Sequence, residues 1–380
     1  AITLRLDQIP RLLGIEIDRQ TTARILRALG LKPLGESPTT LVFQPPSWRA
    51  DLEREIDLIE EVARIHGYHH IPEDRAVPLA RSSRGLRERL EAEIRGAMTG
   101  MGFDEAVTFS LVAEDLVVPL DPGPTAPPLR VEHSSRKREN ALRQSLVPSL
   151  LAARAYNEAH GQSDAALFEI ADVYLPRDGR PLPEEPTRLG IVGGGDYFAL
   201  KGVIEALLDR LHVADALEAR PATPPLFTPG RAAELLLGGT HLGYLGEIAR
   251  DRLDAFGLRG ACSAAELSLD VLRERADLIP QYHHLPAFPA VARDLSLVVP
   301  QSLPWSELAA AVRAAAGPTL ESLAFLDTFR GGNIPEGWHS LHFGLRFRHP
   351  ERTLTGEEVE AAVKAVVDAC AARFGATLRT

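Results

Sequence analysis

Cysteine is almost missing from this chain. The two present, Cys262 and Cys370, lie far apart and outside any C-x-x-C pair. That excludes a disulfide framework and a cysteine zinc site, and a reducing, cytoplasmic setting is expected. Long apolar runs are missing too. No stretch approaches the roughly 20 consecutive apolar residues that span a bilayer, so no membrane partner is expected. Positive charge is not in excess: 42 Lys and Arg face 52 Asp and Glu, a net charge of -10. A uniformly basic nucleic-acid binder is thereby excluded, though a local basic face is not. The opening AITLRLDQIP carries a charge by position 5, unlike a secretory signal. It starts at Ala1 rather than Met, and a piece of something longer is expected.

What is present reads as a folded protein. Hydrophobic residues make up 45% and charged residues 25% of 380 positions, a length that calls for two or three domains. Residues 1–80 read as a small α+β unit. Within it, DRQTTARILRALG is a helix opened by Asp18 and closed by Gly30, TTLVFQPPSW a strand, and 51–65 a second helix ended by Gly67. VPLARSSRG (77–85) reads as a linker. Residues 85–281 form a larger mixed unit. It starts with a helix whose Leu86, Leu90, Ile94 and Met98 repeat every four residues. A strand is expected at EAVTFSLV, with Val107, Phe109 and Leu111 on one face. PLDPGPTAPP (119–128) is a proline loop. Strands follow at ALFEIADVYL, TRLGIVGG, AELLLG, HLGYLGEI and AELSLDV, and a helix at 198–212 turns Leu200, Ile204, Leu207 and Leu211 inward. Many strands with few helices between them favour an antiparallel α+β sheet. Residues 286–380 read β-α-β-β-α-β, the split pattern of a ferredoxin-like fold.

Several catalytic signatures are absent. GGGDYF (193–198) resembles a dinucleotide loop, but Phe198 stands where the last glycine belongs. There is no P-loop, G-x-S-x-G elbow or H-E-x-x-H helix. His66, His69 and His70 cluster as HGYHH, but a helix end is the natural place for histidines and no cysteine completes a zinc set.

Two charge patterns stand out. In RADLEREIDLIEEVARI, Asp57, Glu60 and Glu61 fall at i, i+3 and i+4, on one helix face, with Ile56, Ile59 and Ala63 on another. Asp51 near the helix start could fold toward the same space. Clustered carboxylates suit a hard cation such as Mg²⁺; a solvated face paired to Arg54 and Arg64 explains the same spacing. In SLHFGLRFRH, Leu341, Phe343, Leu345 and Phe347 alternate with His342, Gly344, Arg346 and Arg348. If one face packs on helices, the other presents Arg346 and Arg348 on an open sheet, with Arg330 and Arg293 near and Arg352 in a following loop. Such a face could hold phosphates and stack bases; an ordinary solvated sheet face explains the same alternation.

These residues resemble a known family. RADLEREIDLIEEVARIHGYHHIP is similar to the signature RxDxxxxxDLxEEVARxxGYxxIP of bacterial phenylalanyl-tRNA synthetase beta subunits. ALRQSLVPSLL, LFEIADVY, FALKGVIEALL, TPGRAAEL and LGYLGEI resemble that subunit's noncatalytic class II synthetase-like module. The stretch from FPAVARDLSLVV through LRFRHPERTLTGEEVEAAV resembles its ferredoxin-fold anticodon-binding domain. The resemblance runs over the whole chain and implies the C-terminal half of the subunit, without the editing region. It further implies an active site on a partner alpha subunit in an assembly of two alpha and two beta chains. That assembly would join phenylalanine to tRNA(Phe) with ATP and Mg²⁺. The class II G-x-G-x-x-R element is missing between Arg84 and Pro280, so no catalytic residue is expected here. The family's metal carboxylates fall on Asp51, Asp57, Glu60 and Glu61. Contacts to the tRNA anticodon region are expected from Arg293, Arg330, Arg346, Arg348 and Arg352. A free-standing RNA-binding or scaffold protein of the same modules is the alternative.

Overall fold

The computed structural model describes residues 1–74, 83–120, 127–134, 138–180, 182–282 and 284–379. The linker read at 77–85 and the proline loop at 119–128 fall largely outside them. The chain divides into two compact units, Ala1–Gly85 and Leu86–Thr380.

The first unit is built from β1 (Ile2–Arg5), α1 (Gln8–Leu13), α2 (Arg19–Ala28), β2 (Lys32–Glu36), β3 (Thr40–Gln44) and α3 (Glu55–His66). Its sheet has the order β1-β3-β2 and is antiparallel. The Asp18 side chain accepts from the Thr21 amide at 2.9 Å and fixes the start of α2, as the sequence predicts. Ile25, Leu26, Phe43, Leu58, Ile59 and Val62 close the core. Gly67 ends α3 with φ 106°, and a Cβ there would lie 2.5 Å from the His69 ring. Only glycine takes that turn without strain.

The second unit begins with α4 (Leu86–Gly100), β4 (Asp104–Glu105), β5 (Leu111–Ala113), β6 (Glu139–Leu142), α5 (Val147–Ala159), β7 (Leu167–Asp172) and β8 (Thr187–Gly194). There follow α6 (Tyr197–Arg210), β9 (Leu217–Pro221), β10 (Phe227–Leu237), β11 (Thr240–Ile248), α7 (Arg250–Phe256), β12 (Cys262–Ser268) and α8 (Leu269–Arg275). A seven-stranded sheet of order β4-β7-β8-β12-β11-β10-β9 carries this part. It is antiparallel except for the short parallel pair β4–β7. One apolar cluster gathers Leu90, Ile94 and Met98 of α4 with Leu200, Ile204 and Leu207 of α6, and a second gathers the leucines of α5. The strand expected at EAVTFSLV does not form as one piece. Val107 is 91% exposed, because the Thr108 amide and hydroxyl bind the Glu169 carboxylate at 3.2 and 2.7 Å instead of a neighbouring strand.

The remaining elements are β13 (Val291–Pro300), α9 (Trp305–Ala316), β14 (Leu320–Phe329), β15 (Trp338–Phe347), α10 (Gly356–Phe374) and β16 (Thr377–Leu378). They give the predicted β-α-β-β-α-β order in a sheet β14-β15-β13-β16, and the whole chain is α+β. Leu341, Phe343, Leu345 and Phe347 are buried with Leu308 and Val312 of α9 and Val359 and Val366 of α10. Both helices therefore cover one face of the sheet, and the alternate residues of its strands lie on the other. Thr355 and Glu358 cap α10 reciprocally. No helix among the described residues is long and apolar enough to cross a membrane.

Candidate nucleic-acid interface

The acidic helix α3 does not collect its carboxylates. Asp57 turns back onto the helix start and accepts from the Glu53 and Arg54 amides at 2.9 and 2.7 Å. Those two amides, with Arg54 beyond them, hold its carboxyl below the usual range. Glu61 is buried and accepts from Arg64 at 2.6 Å and from Arg49 at 3.0 Å. Arg64 first, and Arg49 after it, depress its carboxyl against the opposing effect of burial. Asp51 is exposed and binds the same Arg49 at 2.7 Å, which lowers its carboxyl as well. Glu60 is exposed and has no partner among the described residues. The faces also differ from the helical-wheel expectation: Asp57 and Glu61 are buried, while Ile56 is exposed. The Arg49 guanidinium thus sits between Asp51 and Glu61, where a bridging cation would have to be. Among the described residues no group of three or more His, Cys, Asp or Glu could hold a metal ion as placed. These side chains fit a guanidinium, not a divalent ion.

The open face of the β14-β15-β13-β16 sheet was expected to offer free arginines, and mostly it does not. Arg346 and Arg348 both donate to Glu321, at 2.6 and 2.7 Å. Glu321 lies in a register shift between Leu320 and Ser322; Arg348 first, and Arg346 with it, hold its carboxyl below the usual range. Arg348 also donates to the Phe288 carbonyl, and its side chain is only 15% exposed. Arg293 shares a strand face with the buried Leu295 and Leu297 and pairs with Glu360 of α10 at 2.9 Å, so it belongs to the helix side of the sheet. Arg352 binds Glu358, the residue that caps α10, and helps push that carboxyl down to about 2. Arg330, just past β14, is exposed and has no partner among the described residues.

One residue the sequence reading passed over lies on this face. The Arg379 guanidinium stands 4.1 Å from the centre of the Phe329 ring. Arg379 follows β16 and Phe329 ends β14, the two outer strands of the sheet. Its only sequence signal was an arginine within the last expected strand, ATLRT, which says nothing about a partner 50 positions earlier.

The second unit has ionisable groups that are sealed rather than presented. Arg143 and Glu169 pair at 2.9 Å with both side chains 3% exposed. Glu266 is buried, accepts from the Ser145 hydroxyl and the Leu146 amide at 2.8 and 2.6 Å, and is pushed up by burial. Both arrangements tie α5 and its approach to the sheet. An open groove of about 530 Å³ is lined by Tyr197, Phe198, Gly230, Arg231 and Glu247. Its Arg231 and Glu247 neutralise each other at 2.6 Å, and it brings together no nucleophile with a base.

Comparison with known proteins agrees along the length of the chain. The family model "tRNA synthetase B5 domain" matches residues 2–68, "Phenylalanyl tRNA synthetase beta chain CLM domain" 72–269, and "Ferredoxin-fold anticodon binding domain" 286–379. The chain belongs to the phenylalanyl-tRNA synthetase beta chain family. Among curated members, the phenylalanine–tRNA ligase beta subunit of Rhodopirellula baltica is 40% identical over 99% of this chain and 57% of its own length. Those of Moorella thermoacetica and Geobacillus kaustophilus are 35% and 34% identical over 100% of this chain and 49% and 48% of theirs. The chain therefore spans about half the length of the curated beta chains it matches. Two solved pyrrolysyl-tRNA synthetases from Desulfitobacterium hafniense superpose with TM-scores of 0.41 and 0.42 at 15% and 16% identity, over 67% and 68% of this chain and 86% and 91% of theirs. A likeness that loose adds nothing to the beta chain assignment.

Proposed function

We propose that this chain acts within a phenylalanine–tRNA ligase as a noncatalytic part of its beta subunit. Its three parts, residues 1–80, 85–281 and 286–380, would serve assembly, packing against the alpha subunit and contact with the anticodon region of tRNA(Phe). The observation that carries this reading is the succession of three family matches in one order along the chain. The sealed state of Arg143, Glu169 and Glu266 supports the noncatalytic role. ATP and magnesium belong in the proposal at the active site of alpha, in an assembly of two alpha and two beta chains in the cytoplasm.

Exposed apolar side chains support the packing role of the middle part. Val107, Tyr156 and Phe198 are 91%, 66% and 74% exposed, apolar surface that packing against alpha would cover. An obligate interface would bury roughly 2,000 Å² or more. Co-expression with a cognate alpha subunit tests the reading, with the mass of the purified complex as the measurement. A stable complex that charges tRNA(Phe) is the expected result. RNA binding with no association to alpha would instead favour a free-standing RNA-binding or scaffold protein.

A further inference from the structure

We infer that Arg379, stacked on Phe329, is a docking plane for one unpaired nucleobase on the open face of the β14-β15-β13-β16 sheet. The inference rests on the proposed RNA-binding role of this part of the chain. It assigns that role to a residue outside the arginines picked out by charge pattern.

Among the exposed arginines of this part of the chain, Arg346 is neutralised by Glu321 and Arg352 by Glu358. Arg379 has no carboxylate within ion-pairing distance among the described residues, and only its backbone amide is engaged, donating to the Ser296 carbonyl at 2.9 Å. The side chain instead lies with its guanidinium 4.1 Å from the Phe329 ring centre. Phe329 is itself 42% exposed, so a ring and a cation meet at the surface with no apolar cover. A guanidinium over an aromatic ring keeps its charge and all its donors while losing freedom to wander. Its outer face is then a flat, oriented cation. Unpaired bases are bound by stacking on aromatic rings and on arginine planes, and a nearby positive charge draws the backbone in. Arg330 adds an unpaired cation at the same end of β14 for the phosphate of the docked nucleotide.

Charge and planarity make separable predictions. The full 380-residue chain is titrated with a stem–loop RNA carrying 2-aminopurine at one loop position, and with the same stem as a closed duplex. The parent chain should bind the stem–loop, quench the 2-aminopurine and leave the duplex unquenched. Arg379→Lys keeps the charge and removes the plane, so binding should weaken about tenfold and the quench should vanish. The salt slope should stay as in the parent. Arg379→Ala should show the same losses and a log–log salt slope smaller by about 0.7. Phe329→Leu, which keeps apolar bulk, should match Arg379→Lys, with little further loss in the double variant. A parent that binds and quenches while Arg379→Lys does the same overturns this inference alone. A parent that does not bind the stem–loop overturns the proposed RNA-binding role, and the inference with it.

Discussion

The acidic helix α3 and the open sheet face invert each other. On α3, carboxylates crowd in sequence and the structure answers each buried one: Arg49 and Arg64 take Glu61, and two amides take Asp57. On the sheet, arginines crowd in sequence and one carboxylate, Glu321, takes two of them. In both places charge of one sign, legible from spacing, proves to be half of a paired set whose other half comes from elsewhere. The difference lies in burial. Glu61 is sealed inside the first unit, so its arginines are structural; Glu321 and Arg346 stay in water, where a pair is worth little and is easily exchanged for another anion.

The largest effect that tests this contrast is expected at Glu61. Glu61→Gln removes a buried acceptor of two charge-assisted bonds and should cost the first unit about 1–3 kcal/mol in urea unfolding. Glu60→Gln, exposed and unpartnered, should change stability by less than about 0.5 kcal/mol. The sign with pH follows from the depressed carboxyls of Asp57 and Glu61. Their contribution is fully present above the unfolded carboxylate range near pH 4 and is lost as pH falls through the lower folded values. Glu61→Gln should flatten that acid limb. Equal costs at Glu60 and Glu61, both dependent on added Mg²⁺, would mean that the carboxylates act as a metal set.

How much of this was readable in advance depends on reach along the chain. The inward rows Leu200–Ile204–Leu207–Leu211 and Leu341–Phe343–Leu345–Phe347 are buried as their periods require. Period is a local property, and so is the cap at Asp18. Partner choice is not local. Glu61 meets Arg49 twelve positions away, Thr108 meets Glu169 sixty-one away and leaves its strand for it, and Arg379 reaches Phe329 across the sheet. Alternation places Arg293 on a strand, but the side it faces follows from Leu295 and Leu297, two and four residues on, and its partner Glu360 lies on α10.

A smaller effect of opposite sign is expected on the sheet. Glu321→Gln removes the carboxylate charge that neutralises Arg346 and Arg348 while keeping the side-chain shape. RNA binding should then tighten several-fold, and the salt slope should steepen by up to about 0.7 for each arginine released. Alanine at Arg346 and Arg348 should move both quantities the other way. An affinity that falls in Glu321→Gln would show that the pair orients the arginines for RNA rather than masking them.

The smallest effect concerns a group that neither region's pairing reaches. Ser340 stands opposite Phe329 in the β14–β15 register, is 1% exposed, and its hydroxyl has no hydrogen-bond partner among the described residues. Charged side chains are long enough to find partners across strands; a serine hydroxyl has only its immediate surroundings. Burying it unsatisfied costs about 1–3 kcal/mol of desolvation, which Ser340→Ala removes. Losing one oxygen also leaves a small void, which offsets part of that gain. The net expectation is a stabilisation of up to about 1 kcal/mol, read as a higher urea midpoint with an unchanged slope. RNA affinity should hold, because Ala keeps the strand and the Phe329 ring in place. A destabilisation above about 1 kcal/mol would show that the hydroxyl is bonded in solution, and the sheet face around Phe329 would then be more polar than its contacts show.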